Sequence, residues 1–159
     1  VYASEQQVPP QDEYDVTKGF TYMYINGAPL FPFGHGLSYT TFKYSNLRIA
    51  PNRVPANGTV TVSITVKNTG SRAGDEVAQL YVHEVKPVVK RPAKELRGFQ
   101  RVSLAPGEKR TLTFTVPAEK LAFWDETQHA FIVNPGAFDI LVGASSEDIR
   151  LKDQLKVTR

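Results

Sequence analysis

The feature that most constrains this chain is the two-residue alternation of TVTVSITVKN, Thr59 to Asn68. Val60, Val62, Ile64 and Val66 alternate with Thr61, Ser63, Thr65 and Lys67, the pattern of a strand with one buried and one wet face. The same period recurs in RTLTFTV, which aligns Leu112, Phe114 and Val116, and in AFDILVG, which aligns Phe138, Ile140 and Val142. EVAQLYVHEV is apolar on both faces, as a central strand covered on each side would be. FKYSNLRI, LRGFQRVSL, KLAFWDE, HAFIV and DIRLKDQLKV are shorter candidates, separated by the turn chemistry of PANG, NTGSRAGD, APGE and NPG. No convincing amphipathic helix interrupts them. Short strands without helical crossovers predict an all-β fold, an immunoglobulin-like antiparallel sandwich of about seven strands.

A length of 159 residues suits one such domain with an extension. Residues 1–38 differ in texture from the rest and read as a linker and strap, and 39–159 as the sandwich. SEQQVPPQDEYD is polar and proline-containing, and GFTYMYINGAPLF is rich in aromatics, with an Asn26-Gly27 turn signal. PLFPFGHGLSY, Pro29 to Tyr39, fits neither helix nor paired central strand, because its two prolines and two glycines oppose both. Its five large apolar side chains must nevertheless be covered, at about 1.5–3 kcal/mol each. The opening VYASEQQVPPQDEYD has no initiator Met and no apolar signal core, and reads as the start of an excised or processed piece.

Composition narrows the chemistry. With 41% hydrophobic and 22% charged residues the chain lies well above the disorder range. No apolar run approaches the roughly 20 residues that span a bilayer. The absence of cysteine excludes disulfides, thiolate zinc sites and a cysteine nucleophile. A net charge of +3 makes no strong demand for nucleic acid or acidic lipid.

Four segments together resemble a known family: YDVTKGFTYMYINGAPLFPFGHGLSYTTF, VKNTGSRAGDEVAQLYV, KELRGFQRVSLAPGEKRTLTFTV and NPGAFDILVGASSEDIRL. They are similar to the C-terminal fibronectin type III-like domain of glycoside hydrolase family 3 enzymes, the β-glucosidases and β-xylosidases, with its preceding connector. PLFPFGHGLSYTTF carries most of the specificity, since generic sandwich folding does not demand it. The resemblance implies that a barrel domain carries the nucleophilic aspartate and an α/β sandwich domain often supplies the acid/base. The fibronectin-like domain comes last and contributes no catalytic carboxylate. It further implies a non-catalytic accessory role in plant-polysaccharide degradation, packing against the catalytic domains, and an extracellular or periplasmic location.

The residues agree with that implication. Retaining hydrolysis needs two carboxyl groups about 5–5.5 Å apart around a sugar pocket. Asp12-Glu13, Asp75-Glu76, Asp125-Glu126 and Glu147-Asp148 are adjacent pairs, and in extended chain neighbours point to opposite faces. His35, His83 and His129 lack metal-ligand spacing, and no phosphate-binding loop or nucleophile elbow occurs. No catalytic residue, metal or cofactor is therefore assigned. Lys86, Lys90, Arg91, Lys94, Arg97 and Arg101 form a basic run that reads as a charged, proline-blunted edge and loop, with an anionic partner as the alternative. Asn57-Gly58-Thr59 matches the N-glycosylation acceptor pattern.

Two functional readings follow. In the first, Leu30, Phe31, Phe33, His35, Leu37 and Tyr39 form an interdomain docking strap. Leu37 and Tyr39 anchor it on the sandwich, and Leu30, Phe31 and Phe33 reach toward the catalytic domains. In the second, exposed aromatics at Tyr22, Tyr24, Phe31 and Trp124 attach the enzyme to insoluble polysaccharide or lignin. Trp124 itself reads as core beside Phe123, with a sugar-stacking platform as the alternative. An immunoglobulin-like adhesion domain would leave PLFPFGHGLSY unexplained and lacks the Cys…Trp…Cys signature.

Overall fold

The alternating segments become strands in the computed structural model, which describes residues 10, 12, 14–19, 23, 24, 27 and 29–159. In chain order they are β1 (Phe42–Ala50), β2 (Arg53–Pro55), β3 (Thr59–Asn68), β4 (Gly74–Glu84) and β5 (Glu95–Leu104). Then come β6 (Lys109–Pro117), β7 (Phe123–Asp125), β8 (Ala130–Ile132), β9 (Gly136–Gly143) and β10 (Ile149–Thr158). Seven of them run eight residues or more, matching the expected number, and β2, β7 and β8 are three-residue additions. Single 3-10 turns lie at Val16–Lys18 and Ala118–Leu121.

The strands form a three-stranded sheet, β1-β3-β6, and a five-stranded sheet, β2-β10-β9-β4-β5, with β7 and β8 paired as a separate hairpin. All long pairings are antiparallel. The exception to the antiparallel expectation is β2, which runs parallel to β10 and pairs Arg53 with Lys156. The alternation sets the layers. Val60, Val62, Ile64 and Val66 are fully buried and stand beside Leu112, Phe114 and Val116 of β6, facing Leu80, Ile140, Val142 and Leu155 of the other sheet.

The two seams between the sheets are stapled by side chains. Gln100 of β5 donates to the Thr113 carbonyl of β6 at 2.6 Å, and Arg150 of β10 donates to the Phe42 carbonyl of β1 at 3.0 Å. Arg150 also chelates Asp148, stacks 4.7 Å from the Tyr44 ring centroid and approaches Glu76, which accepts the Tyr44 hydroxyl at 2.8 Å. Burial, reinforced by that carboxylate, raises the Tyr44 pKa far above its ordinary value, and the Arg150 hydrogen bonds hold Asp148 below its own.

The core register is directly testable. Ile64→Ala and Phe114→Ala should each cost about 2–5 kcal/mol in urea unfolding, through lost burial and the cavity left behind. Losses below about 0.5 kcal/mol at both sites would mean that the buried face is assigned wrongly.

Candidate docking surface

Strand β4 divides its side chains between two environments. Ala78, Leu80 and Val82 enter the core between the sheets. Val77, Gln79 and Tyr81 therefore face outward, yet Gln79 and Tyr81 are buried too. Gln79 lies under an irregular segment, residues 29–41, that crosses the outside of the five-stranded sheet before β1 begins. The Gln79 side-chain amide donates to the carbonyls of Gly34 at 3.0 Å and Ala144 at 2.6 Å, while its Oε1 accepts the Tyr81 hydroxyl at 2.5 Å. The Ser146 amide donates to the Phe33 carbonyl at 2.9 Å. The other end of the strap is fixed by Thr40, whose hydroxyl donates to Oδ1 of the fully buried Asn68 at 2.7 Å. Asn68 completes its bonding to the Arg72 and Leu104 carbonyls.

Between these two ends the strap bows into solvent. Leu37 and Tyr39 are 93% and 92% exposed. The expectation that they anchor the strap is therefore corrected: the backbone and Thr40 do the anchoring, which leaves both side chains free. Phe33 is the least exposed of the strap's large side chains, at 39%, and lines a groove against the sheet. Leu30 and Phe31 are exposed. The His35 ring lies 5.5 Å from that of Phe31, and its backbone amide closes a turn onto the Pro32 carbonyl at 3.0 Å. Between strap and sheet opens a groove of about 680 Å³, walled by Phe33, Leu37, Val77, Leu96 and Phe99 and floored by Arg150 and its acids. Val77 and Phe99, both exposed, extend the apolar surface beyond the strap. Their outward positions on β4 and β5 were readable only once the strand order was known.

The described aromatic candidates have different neighbours: His35 for Phe31, Lys90 for Tyr24 and Phe131 for Trp124. Trp124 is half exposed, which corrects the expectation of a core residue: β7 alternates, and Phe123 takes the inward position. Trp124 pairs across the hairpin with Phe131, ring centroids 5.2 Å apart and planes at 70°. Tyr24 is half-buried with the Lys90 ammonium 5.9 Å from its ring centroid. Tyr22, like Asn26 of the expected turn, lies outside the described residues.

Five of the six cations of the basic run, all but Lys86, are engaged internally. Arg91 bridges Glu84 at 3.0 Å and Glu95 at 3.0 Å and donates to the Leu121 carbonyl at 2.8 Å. Arg97 pairs with Glu95, Lys94 with Glu147, Arg101 with Asp75, and Lys90 donates to the Thr17 carbonyl. These pairs, with β5 at the sheet edge, fit the blunted-edge reading. Asp75, Glu76, Glu147 and Asp148 are all engaged in such pairs, and Asp125 accepts the Gln128 amide at 2.8 Å. Among the described residues no group of three or more acidic or histidine side chains assembles as a metal site.

Residues 76–146 match the model of the fibronectin type III-like domain. Over 140 residues, 87% of this chain, the sequence is 47% identical to thermostable β-glucosidase B of Acetivibrio thermocellus, of which it covers 18%. It is 39% identical over 82% of its length to the periplasmic β-glucosidase of Salmonella typhimurium, covering 17% of that protein. This chain belongs to the fibronectin type III-like domains of family 3 β-glycosidases. The crystal structure of a β-glucosidase from Listeria innocua superposes with a TM-score of 0.77 at 32% identity, covering 92% of this chain and 21% of that one. The domain thus spans about a fifth of the relatives it matches, which carry β-glucosidase and β-xylosidase names, and it is not their catalytic domain.

The Arg91 bridge should be energetically decisive for this domain's loop between β4 and β5. Arg91→Ala strands the buried Glu84 carboxylate, and should cost about 3–5 kcal/mol in chemical unfolding. Arg91→Lys should rescue only part of this, because one ammonium cannot reproduce the planar fork. Full rescue by lysine would refute the geometric account.

Proposed function

We propose that this domain is the accessory C-terminal unit of a family 3 β-glucosidase or β-xylosidase, and that it stabilises the enzyme by docking its strap face on the preceding catalytic domains. The observation that carries the reading is the strap itself. Its backbone is pinned at Phe33 and Gly34 and its Thr40 hydroxyl at Asn68, while Leu37 lines the groove with Phe99, and Leu30, Phe31 and Tyr39 are exposed. Holding so many large apolar side chains in water is unfavourable, and exposed apolar surface on this scale marks an interaction site. Inter-domain contacts bury about 600–1,500 Å², enough to cover this face. A relative named as periplasmic supports a location outside the cytoplasm for the parent enzyme.

The rival role, attachment to polysaccharide or lignin, draws support from the exposure of Trp124 and Phe131. Their planes cross at 70°, so the two rings do not lie together on one flat polymer surface. Retention of the domain on cellulose, xylan or lignin, lost with Trp124→Ala, would favour that role instead.

Docking predicts an asymmetry between fragment and enzyme. Leu37→Ser combined with Tyr39→Ser should leave the melting temperature of the isolated domain within about 1 °C, since neither side chain is buried there. In the full-length enzyme the pair should lower it by several degrees, roughly 2–4 °C per kcal/mol lost. Phe31→Ser should behave alike, whereas Phe33→Ser should also destabilise the isolated domain. Equal losses in fragment and enzyme for the Leu37/Tyr39 pair would contradict docking.

A further inference from the structure

We infer that Gln79 is the positioning residue of the docking surface, a latch whose carboxamide holds the strap in its docking shape before any partner domain is engaged. The purpose of the latch rests on the docking role, but its action is a property of this domain alone. Gln79 stands on the outer face of a central strand, with Val77, Tyr81 and Leu141 as its apolar or aromatic neighbours on that face. A polar side chain there, 5% exposed, is costly unless every bond is made. Both donors of its amide are used, one on the strap at Gly34 and one on Ala144 in the turn after β9, and Tyr81 fixes which end of the amide is the donor by bonding Oε1.

The strap is shaped to receive it. Gly34 has φ +79°, a left-handed conformation that side chains resist, and an added Cβ would fall on the Gln79 amide group. Glycine is thus required on both counts for the carbonyl to reach the latch. The bond from Ser146 to the Phe33 carbonyl lies one residue away, so strap, turn and sheet meet at one point. The turn is itself built: the Ser145 hydroxyl accepts the amides of Glu147 at 3.3 Å and Asp148 at 3.0 Å, and Lys94 holds Glu147 at 2.9 Å. Everything between Gly34 and Thr40, including Leu37 and the groove wall, takes its position from this point and from the Thr40–Asn68 bond.

The test is limited chymotrypsin digestion of the domain, with cleavage after Leu37 and Tyr39 identified by mass, alongside amide exchange of the β3 core. Gln79→Leu should accelerate strap cleavage about tenfold, the loss expected for the hydrogen bond to the Gly34 carbonyl, with core exchange much less affected. Gly34→Ala approaches the same contact from the strap side and should reproduce the effect with the core intact. If Gln79→Leu loosens strap and core in parallel, Gly34→Ala decides: selective release of the strap sustains the latch, and parallel loosening overturns it. Unchanged strap cleavage in both variants also overturns it. If the strap is released but Gln79→Leu leaves the full-length enzyme as stable as before, the latch stands and the docking role falls.

Discussion

Strand β4 must be covered twice, and the rest of the molecule is arranged around that requirement. Its inner side chains, Ala78, Leu80 and Val82, need the opposing three-stranded sheet. Its outer side chains include Gln79 and Tyr81, which are as buried as the core although they stand on the face away from the three-stranded sheet. The strap supplies part of the cover there. Over Gln79 it does so with the Gly34 carbonyl rather than with a side chain, because the group it covers is an amide that needs acceptors. Leu30, Phe31, Leu37 and Tyr39 meanwhile stay exposed. An irregular segment rich in proline, glycine and aromatics is what such a task selects, since a regular strand or helix would have spent its carbonyls internally.

The sandwich was legible in the sequence because a period of two leaves little freedom. Val60, Val62, Ile64 and Val66, and likewise Leu112, Phe114 and Val116, are buried as their alternation requires. The double-sided pattern of EVAQLYVHEV correctly marked a central strand. The parallel pairing of β2 was not legible, because three residues carry no period and the contact is set by the distant end of the chain. The strap resisted reading for a related reason. Composition identifies it as greasy and irregular, but a hydrogen bond from Gln79 and one to Asn68 hold its backbone course, and both partners lie more than 25 positions away in sequence. Leu37 and Tyr39 were therefore expected inside and are outside.

Trp124 illustrates the same limit at shorter range. Its neighbour Phe123 is equally apolar, and only the phase of a three-residue strand decides which enters the core. The polar clusters were easier. A run of cations interleaved with prolines along an edge strand reads as a guarded edge, and the ion pairs of Arg91, Lys94, Arg97 and Arg101 match that role.

The central claim is that the strap face, and not the Trp124–Phe131 hairpin, meets the rest of the enzyme. Hydroxyl-radical footprinting of side chains, compared between the isolated domain and the full-length glycosidase, tests it most directly. The account predicts that Leu37, Tyr39 and Phe99 are oxidised readily in the domain and become protected in the enzyme, while Trp124 and Phe131 react equally in both. Protection of Trp124 and Phe131 with Leu37 and Tyr39 still reactive would contradict it.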